Sequence, residues 1–405
     1  MTTDVKRDSV YTPAVLVLAA IVGISFLGLG FVMPLRALYG RELGASSGEI
    51  GLMASVALLT GFVAAPGLGW LTDRVGARPM LAAGVLAHAV LVLAYIPVGN
   101  PALLIVLRGL EGIAIVAVLP PARALMNAMA PKTRQGEALG LLGSAQMVGI
   151  LMGPAIGTEL ASLTSYTDAF LVASVPLFIA TVAAWVFLPR GAHGDTGARA
   201  SVPVTNGALF TRPMLLVYGL TAVLGLTSGV IQAIWSIYML DRGASLLVIG
   251  LSYATYALPA GLMGPLAGRI SDQRGRFWPI IGGLLLYAAI YIVFGLPISP
   301  FWIVVLSAVE GFAAAVARSA LDGLLADVMP TEGRGKAQAN YSAAQTAGSF
   351  AGATAAGFLY AISPGAPFTI NGVIFLVTAG VLFLPALGRL FPAPGALRFG
   401  GEGQG

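Results

Sequence analysis

The sequence predicts an all-α membrane protein of twelve transmembrane helices, arranged in two pseudo-symmetric six-helix bundles with both termini cytoplasmic. Three observations predict it. The chain of 405 residues is 57% hydrophobic and only 10% charged, with a mean hydropathy of +0.88, whereas soluble domains carry about 25% charged residues. Its apolar runs are continuous and about 20 residues long or more, the length that crosses a bilayer as a helix, and they do not alternate with the period of a barrel strand. The sequence also repeats itself at an offset of 199 residues.

Charged residues, Gly/Pro clusters and run length place six helices near 12–35, 48–71, 78–97, 101–128, 136–162 and 168–189. Six more follow near 213–239, 246–270, 277–298, 301–327, 335–361 and 367–389. Lys6 and Arg7 precede a first run too long for a signal peptide and lacking a small-residue cleavage site, so it is expected to be a retained span. With the N-terminus inside, the loop cations fall almost wholly on the cytoplasmic side, including Arg74, Arg78, Lys132, Arg134, Arg269, Arg274 and Arg276. Only Arg36, Arg41 and Arg242 are left outside. The polar stretch 190–212, "RGAHGDTGARASVPVTNGALFTR", reads as a cytoplasmic linker between bundles 1–189 and 213–405.

The repeat needs no gap. Gly44, Ala45 and Ser46 meet Gly243, Ala244 and Ser245; Glu111-Gly112 meets Glu310-Gly311; Gln146, Gly149 and Gly153 meet Gln345, Gly348 and Gly352. "GWLTDRVGAR" at 69–78 has its counterpart in "GRISDQRGRF" at 268–277. Each copy has an even number of spans, so the two share one orientation, an arrangement that puts a ligand site near the midplane between them.

Composition also excludes function classes. There is no cysteine, which removes disulfides and thiolate metal sites, and the two histidines, His88 and His193, are far apart. No metal site, cofactor or catalytic constellation is expected. The net charge of +5 is dispersed over short loops, unlike a nucleic-acid-binding stripe.

Two parallel six-helix repeats with an acidic cytoplasmic loop after the second helix resemble the major facilitator superfamily over essentially the whole chain. The loop signature is matched by Gly69, Leu71, Thr72, Asp73, Arg74, Gly76 and Arg78, with Ala77 in place of a usual basic residue. The resemblance implies a gating role, in which Asp73 latches the cytoplasmic ends in one state and Asp272 is a weaker counterpart; positive-inside topology is the simpler role. A second signature, in the fifth helix of exporters of this family, is matched by Gly140, Gly149, Gly153, Pro154 and Gly157, with Thr158 in place of the last glycine. Glycines at 149, 153 and 157 stack on one helical face and admit a close neighbour, so plain helix packing also explains them. Arg108 followed by Gly112 in the fourth helix matches a third family feature tied to proton coupling.

Intramembrane charges are costly and point to function. Glu111 lies ten residues past Pro101, ~15 Å into the membrane and close to its middle, with Arg108 one turn away at i−3. Glu310 takes the equivalent position with Ser307 where Arg108 would be, so it has no local cation. Desolvation disfavours the charged form of such carboxylates and equips them to take up a proton. The alternatives are a structural salt bridge for Glu111 and a hydrogen bond to a neighbouring helix for Glu310. Arg318 and Asp322, at i and i+4, read as a gating or structural ion pair; Arg123 reads as a snorkelling residue, and His88 as a packed or hydrogen-bonded one. The first helix carries no acid, although many drug antiporters of the family place one there.

The family's cavity-lining and interfacial helices carry Phe26, Phe31, Gln146, Gln232, Trp235, Tyr238, Tyr253, Tyr256, Asn340, Tyr341 and Gln345. Aromatics with a few amides suit hydrophobic or amphipathic ligands. The resemblance therefore implies a monomeric, proton-coupled exporter of such small molecules, embedded in membrane lipid. A metabolite exporter, a lipid flippase, an uptake symporter and a non-transporting receptor or scaffold of the same fold remain open at this point.

Overall fold

The computed structural model describes residues 10–189, 206–330 and 333–384, and every element of regular structure in them is helical. The first are α1 (Pro13–Glu42) and α2 (Ser47–Val75), followed by α3 (Ala77–Ala94), α4 (Pro101–Val116), α5 (Leu119–Met129), α6 (Gln135–Leu163) and α7 (Tyr166–Phe187). A one-turn α8 (Asn206–Leu209) precedes α9 (Arg212–Asp241), α10 (Leu246–Leu262), α11 (Gly264–Arg274), α12 (Phe277–Phe294), α13 (Pro300–Val328), α14 (Arg334–Ile362) and α15 (Ala366–Leu382). Most of the predicted linker lies outside the described residues, as do the terminal cations Lys6, Arg7, Arg389 and Arg398.

Nine of these segments, with α4 and α5 taken together, are long and apolar enough to cross a membrane, and the bent pair α10–α11 makes ten. This falls short of the twelve expected. The remaining two are α14, whose first turns carry Arg334, Lys336, Gln338 and Asn340, and α15, apolar but only 17 residues long.

Helix boundaries follow local chemistry. Asn100 caps α4 by accepting from Leu103 N at 3.0 Å, with Pro101 at the first helical position. Ser46 and Glu49 form a reciprocal capping box at the start of α2. Gly76 and Gly275, at φ 94° and 84°, turn the chain between helices in a conformation that L side chains resist.

Two predicted spans are each two helices. The fourth breaks at Ala117–Val118, because Pro120 and Pro121 lack the N–H groups that the carbonyls one turn earlier would need. The eighth bends by 45° between α10 and α11. Gly264-Pro265 supplies that break, with Pro259 a turn and a half earlier. Pro66, at the equivalent position of α2, follows Ala65 and leaves its helix unbroken.

The chain divides into two compact units. One holds the described residues through Tyr39 together with those from Val56 to 189; the other holds Gly40–Ser55 and the described residues from 206 onward. Each contains the same close crossing. In the first, a Cβ on Gly149, Gly153 or Gly157 of α6 would strike the α1 backbone at Gly23 to Phe31. In the second, Gly348 and Gly352 of α14 meet Ala222 and Leu226 of α9, the same contacts 199 residues later. Another pair repeats likewise: Gly112 abuts the carbonyl of Ala57, and Gly311 that of Tyr256.

Candidate functional site

The first unit buries a charged cluster around Glu111, which has no solvent exposure. Arg36 on α1 donates to its Oε1, and Arg108 on α4 donates to Oε2 at 2.7 Å. Tyr95, just past the end of α3, donates to Oε2 at 2.8 Å. His88 of α3 brings Nε2 to 3.2 Å from Oε1. Three features hold these groups in place: the close crossing of α4 on α2 at Gly112, the bond from Thr60 Oγ1 to Gly109 O, and the stacking of Tyr95 on Phe170.

This arrangement corrects the placement of Arg36. The sequence reading ended the first span near residue 35 and left Arg36 in an outer loop, but α1 continues to Glu42 and the guanidinium is 5% exposed beside Glu111. His88, read as packed or hydrogen-bonded, lies within this cluster. Two guanidiniums face one carboxylate. Placing a proton on Glu111 would strand both cations away from water, where unpaired charge costs several kcal/mol per ion. Glu111 is thus the counter-charge of two buried arginines.

The second unit handles its carboxylate differently. Glu310 on α13 is 2% exposed and accepts a hydrogen bond from Tyr291 of α12 at 2.9 Å. Among the described residues no cation comes within ion-pair distance of it. The repeat explains this: the positions of Arg36, His88 and Arg108 are taken by Trp235, Tyr287 and Ser307. Every basic partner of Glu111 has a neutral residue in its place.

Arg318, two turns farther along α13, does not pair with Asp322 as expected. Asp322 is exposed and accepts from Tyr341 at 2.8 Å, while Arg318 donates to Ser228 at 3.2 Å. The i+4 spacing permitted the ion pair, but Tyr341 of α14 takes the carboxylate instead.

Of the loop signature, Arg78 is not a solvated topology marker. It is 6% exposed, donates to the carbonyls of Ala184 and Trp185 at the end of α7, and lies over the Trp185 ring. It therefore caps a helix C-terminus, where a cation is favoured. Arg74 lies over Trp70, and Gly69 has open space around it. Asp272 pairs with Arg276, whose guanidinium also reaches Asp327 at 2.9 Å. These bonds, Asp327's foremost, hold Arg276 above its ordinary pKa. Ala77, in the place of Arg276, offers Asp73 no such charge.

In the fifth-helix signature, Gly149, Gly153 and Gly157 pack as predicted from their spacing, but Gly140 is exposed with nothing near it. Thr158, in place of the last glycine, returns its hydroxyl to Pro154 O at 2.8 Å.

Four of the expected cavity residues are buried among neighbouring helices. Phe26 and Phe31 are buried where α1 crosses α6. Trp235 and Tyr238 sit in an aromatic core with Phe294 and Phe368, their polar tips bound to Ser252 and to the Phe294 carbonyl. Tyr341 is nearly buried, whereas Gln146, Gln232, Tyr253, Tyr256, Asn340 and Gln345 are half-buried.

Repeated helical units, apolar spans and charge buried within them define a multi-pass helical membrane protein. The chain belongs to the major facilitator superfamily, which it matches over residues 16–239 and 217–402, a family of secondary transporters rather than enzymes. It is 27% identical over 335 residues to a "Multi-drug resistance efflux pump PmrA homolog" of Lactococcus lactis, covering 77% of this chain and 80% of that one. It is 30% identical over 284 residues to the "Multi-drug resistance efflux pump PmrA" of Streptococcus pneumoniae, covering 64% and 68%. The fold is shared with the nucleoside transporter NupG at a TM-score of 0.75 and 13% identity, over 94% of this chain and 99% of that one.

Proposed function

We propose that this secondary transporter is a proton-coupled exporter of hydrophobic or amphipathic small molecules working by alternating access, with Glu310 as the proton carrier. The observation that carries this reading is a mid-span carboxyl buried with a tyrosine hydroxyl and no cation. Such a group is stable when neutral and costly when charged, so its protonation state responds to access from either side of the membrane. Glu111, held by Arg36 and Arg108, serves as the fixed charge of the other unit. Export is supported by the fifth-helix glycines and by relatives named as efflux pumps.

The same proposal takes α14 and α15 as the eleventh and twelfth spans, residues 1–189 and 213–405 as the two bundles, and both termini as cytoplasmic. The 199-residue offset and the distribution of Lys and Arg support it. The working unit is a monomer, and Asp73 latches its cytoplasmic side.

Flux in proteoliposomes across a ligand panel, with and without an imposed pH gradient, tests this reading. Uphill movement of an amphipathic compound only when a gradient is present is expected; flux indifferent to the gradient would overturn it.

A further inference from the structure

Arginine is always charged, and the three buried arginines of the described residues each reach a carboxylate or backbone carbonyl, although Arg36 Nε is left without a partner. Arg36 and Arg108 share Glu111, and Arg78 takes two backbone carbonyls. Arg318 stands apart. Its one hydrogen bond is to Ser228, its Nε is buried without a partner, and no carboxylate among the described residues lies within ion-pair distance. A guanidinium offers five N–H donors in a rigid fork suited to two-point binding of a carboxylate or similar anion.

The surroundings match a ligand rather than a protein anion. Ser228 of α9 accepts from Arg318, and Tyr256 of α10, Tyr287 of α12, Tyr341 of α14 and the Asp322 carboxylate belong to its electrostatic surroundings. Arg318, Ser228 and Tyr256 are half-buried. Glu310 lies eight residues away along α13, ~12 Å, too far to neutralise it. Asp322 is exposed and engaged by Tyr341. A cationic ligand would find Glu111 already taken by two arginines.

We propose that Arg318 binds the anionic head group, a carboxylate or sulfonate, of an amphipathic aromatic substrate, with Tyr256 and Tyr341 against its apolar body. This deepens the transport reading and rests on it for the word substrate, but the binding itself can be measured apart from transport.

The test uses the purified full-length protein in detergent and two dyes of one ring system: fluorescein, an anionic carboxylate, and rhodamine 6G, a cationic ester. Titration calorimetry on the wild type is expected to show tighter binding of fluorescein. Arg318→Gln should weaken fluorescein about ten-fold or more, the scale of a lost charge-assisted hydrogen bond, and leave rhodamine 6G unchanged. Arg318→Lys, which keeps the charge and loses the fork, should fall between them and serves as the test if the glutamine variant does not fold. A wild type that binds neither dye, or prefers rhodamine 6G, overturns the proposal. So does equal fluorescein binding by wild type and whichever variant folds. Binding through Arg318 with no proton-driven flux of either dye would overturn the exporter reading and leave this one standing.

Discussion

Arg36 and Trp235 occupy the same place in two copies of one sequence pattern, 199 residues apart, and only Arg36 brings a cation to a buried carboxylate. Trp235 donates its indole N–H to Ser252 instead. The exchange leaves two guanidiniums on the buried carboxylate of one unit and, among the described residues, none within ion-pair distance of that of the other.

The fixed charge has a stability signature. Glu111→Gln leaves two buried guanidiniums without a counter-ion and should cost about 3–5 kcal/mol, enough to lower the yield of folded protein sharply. Arg36→Met leaves a balanced Arg108–Glu111 pair and should cost less. Thermal unfolding of the two variants in detergent checks the order; equal midpoints would show that the cluster does not carry a surplus cation.

The helix crossing gives a second contrast. Gly153→Val places side-chain atoms in the α1 backbone and should cost about 1–3 kcal/mol or more as overpacking. Gly140→Ala meets open space and should stabilise slightly, by up to about 1 kcal/mol, since alanine favours the helix. The same unfolding assay measures both, and a destabilising Gly140→Ala would point to a contact made in another state of the transport cycle.

The loop carboxylate concerns rate. Asp73→Asn should slow turnover several-fold, a small change in barrier of about 1 kcal/mol, while substrate affinity stays near wild type. Initial-rate flux alongside binding separates the two effects. An unchanged rate would return Asp73 to a role in topology.

Much of this was readable from sequence. The apolar runs gave ten of the twelve expected spans, Gly149 and Gly153 gave the close crossing, and Ser307 at the position of Arg108 already left Glu310 without a local cation. Two kinds of feature were hidden. Arg36 meets Glu111 across 75 residues of chain, and its role depends on α1 running a further two turns than its apolar run suggested. Trp235 and Tyr238 were read as lining because aromatics on that helix fit a cavity, yet Phe294 and Phe368, from α12 and α15, close over them. Extending the 199-residue comparison from matches to mismatches would have exposed Arg36 and His88, since both differ from their counterparts in charge or basicity.

The most direct test of the central claim is uphill accumulation in proteoliposomes by Glu310→Gln under an imposed pH gradient, with substrate exchange at zero gradient measured on the same vesicles. The account predicts exchange retained and accumulation lost. Accumulation at the wild-type level would contradict it and remove Glu310 as the proton carrier.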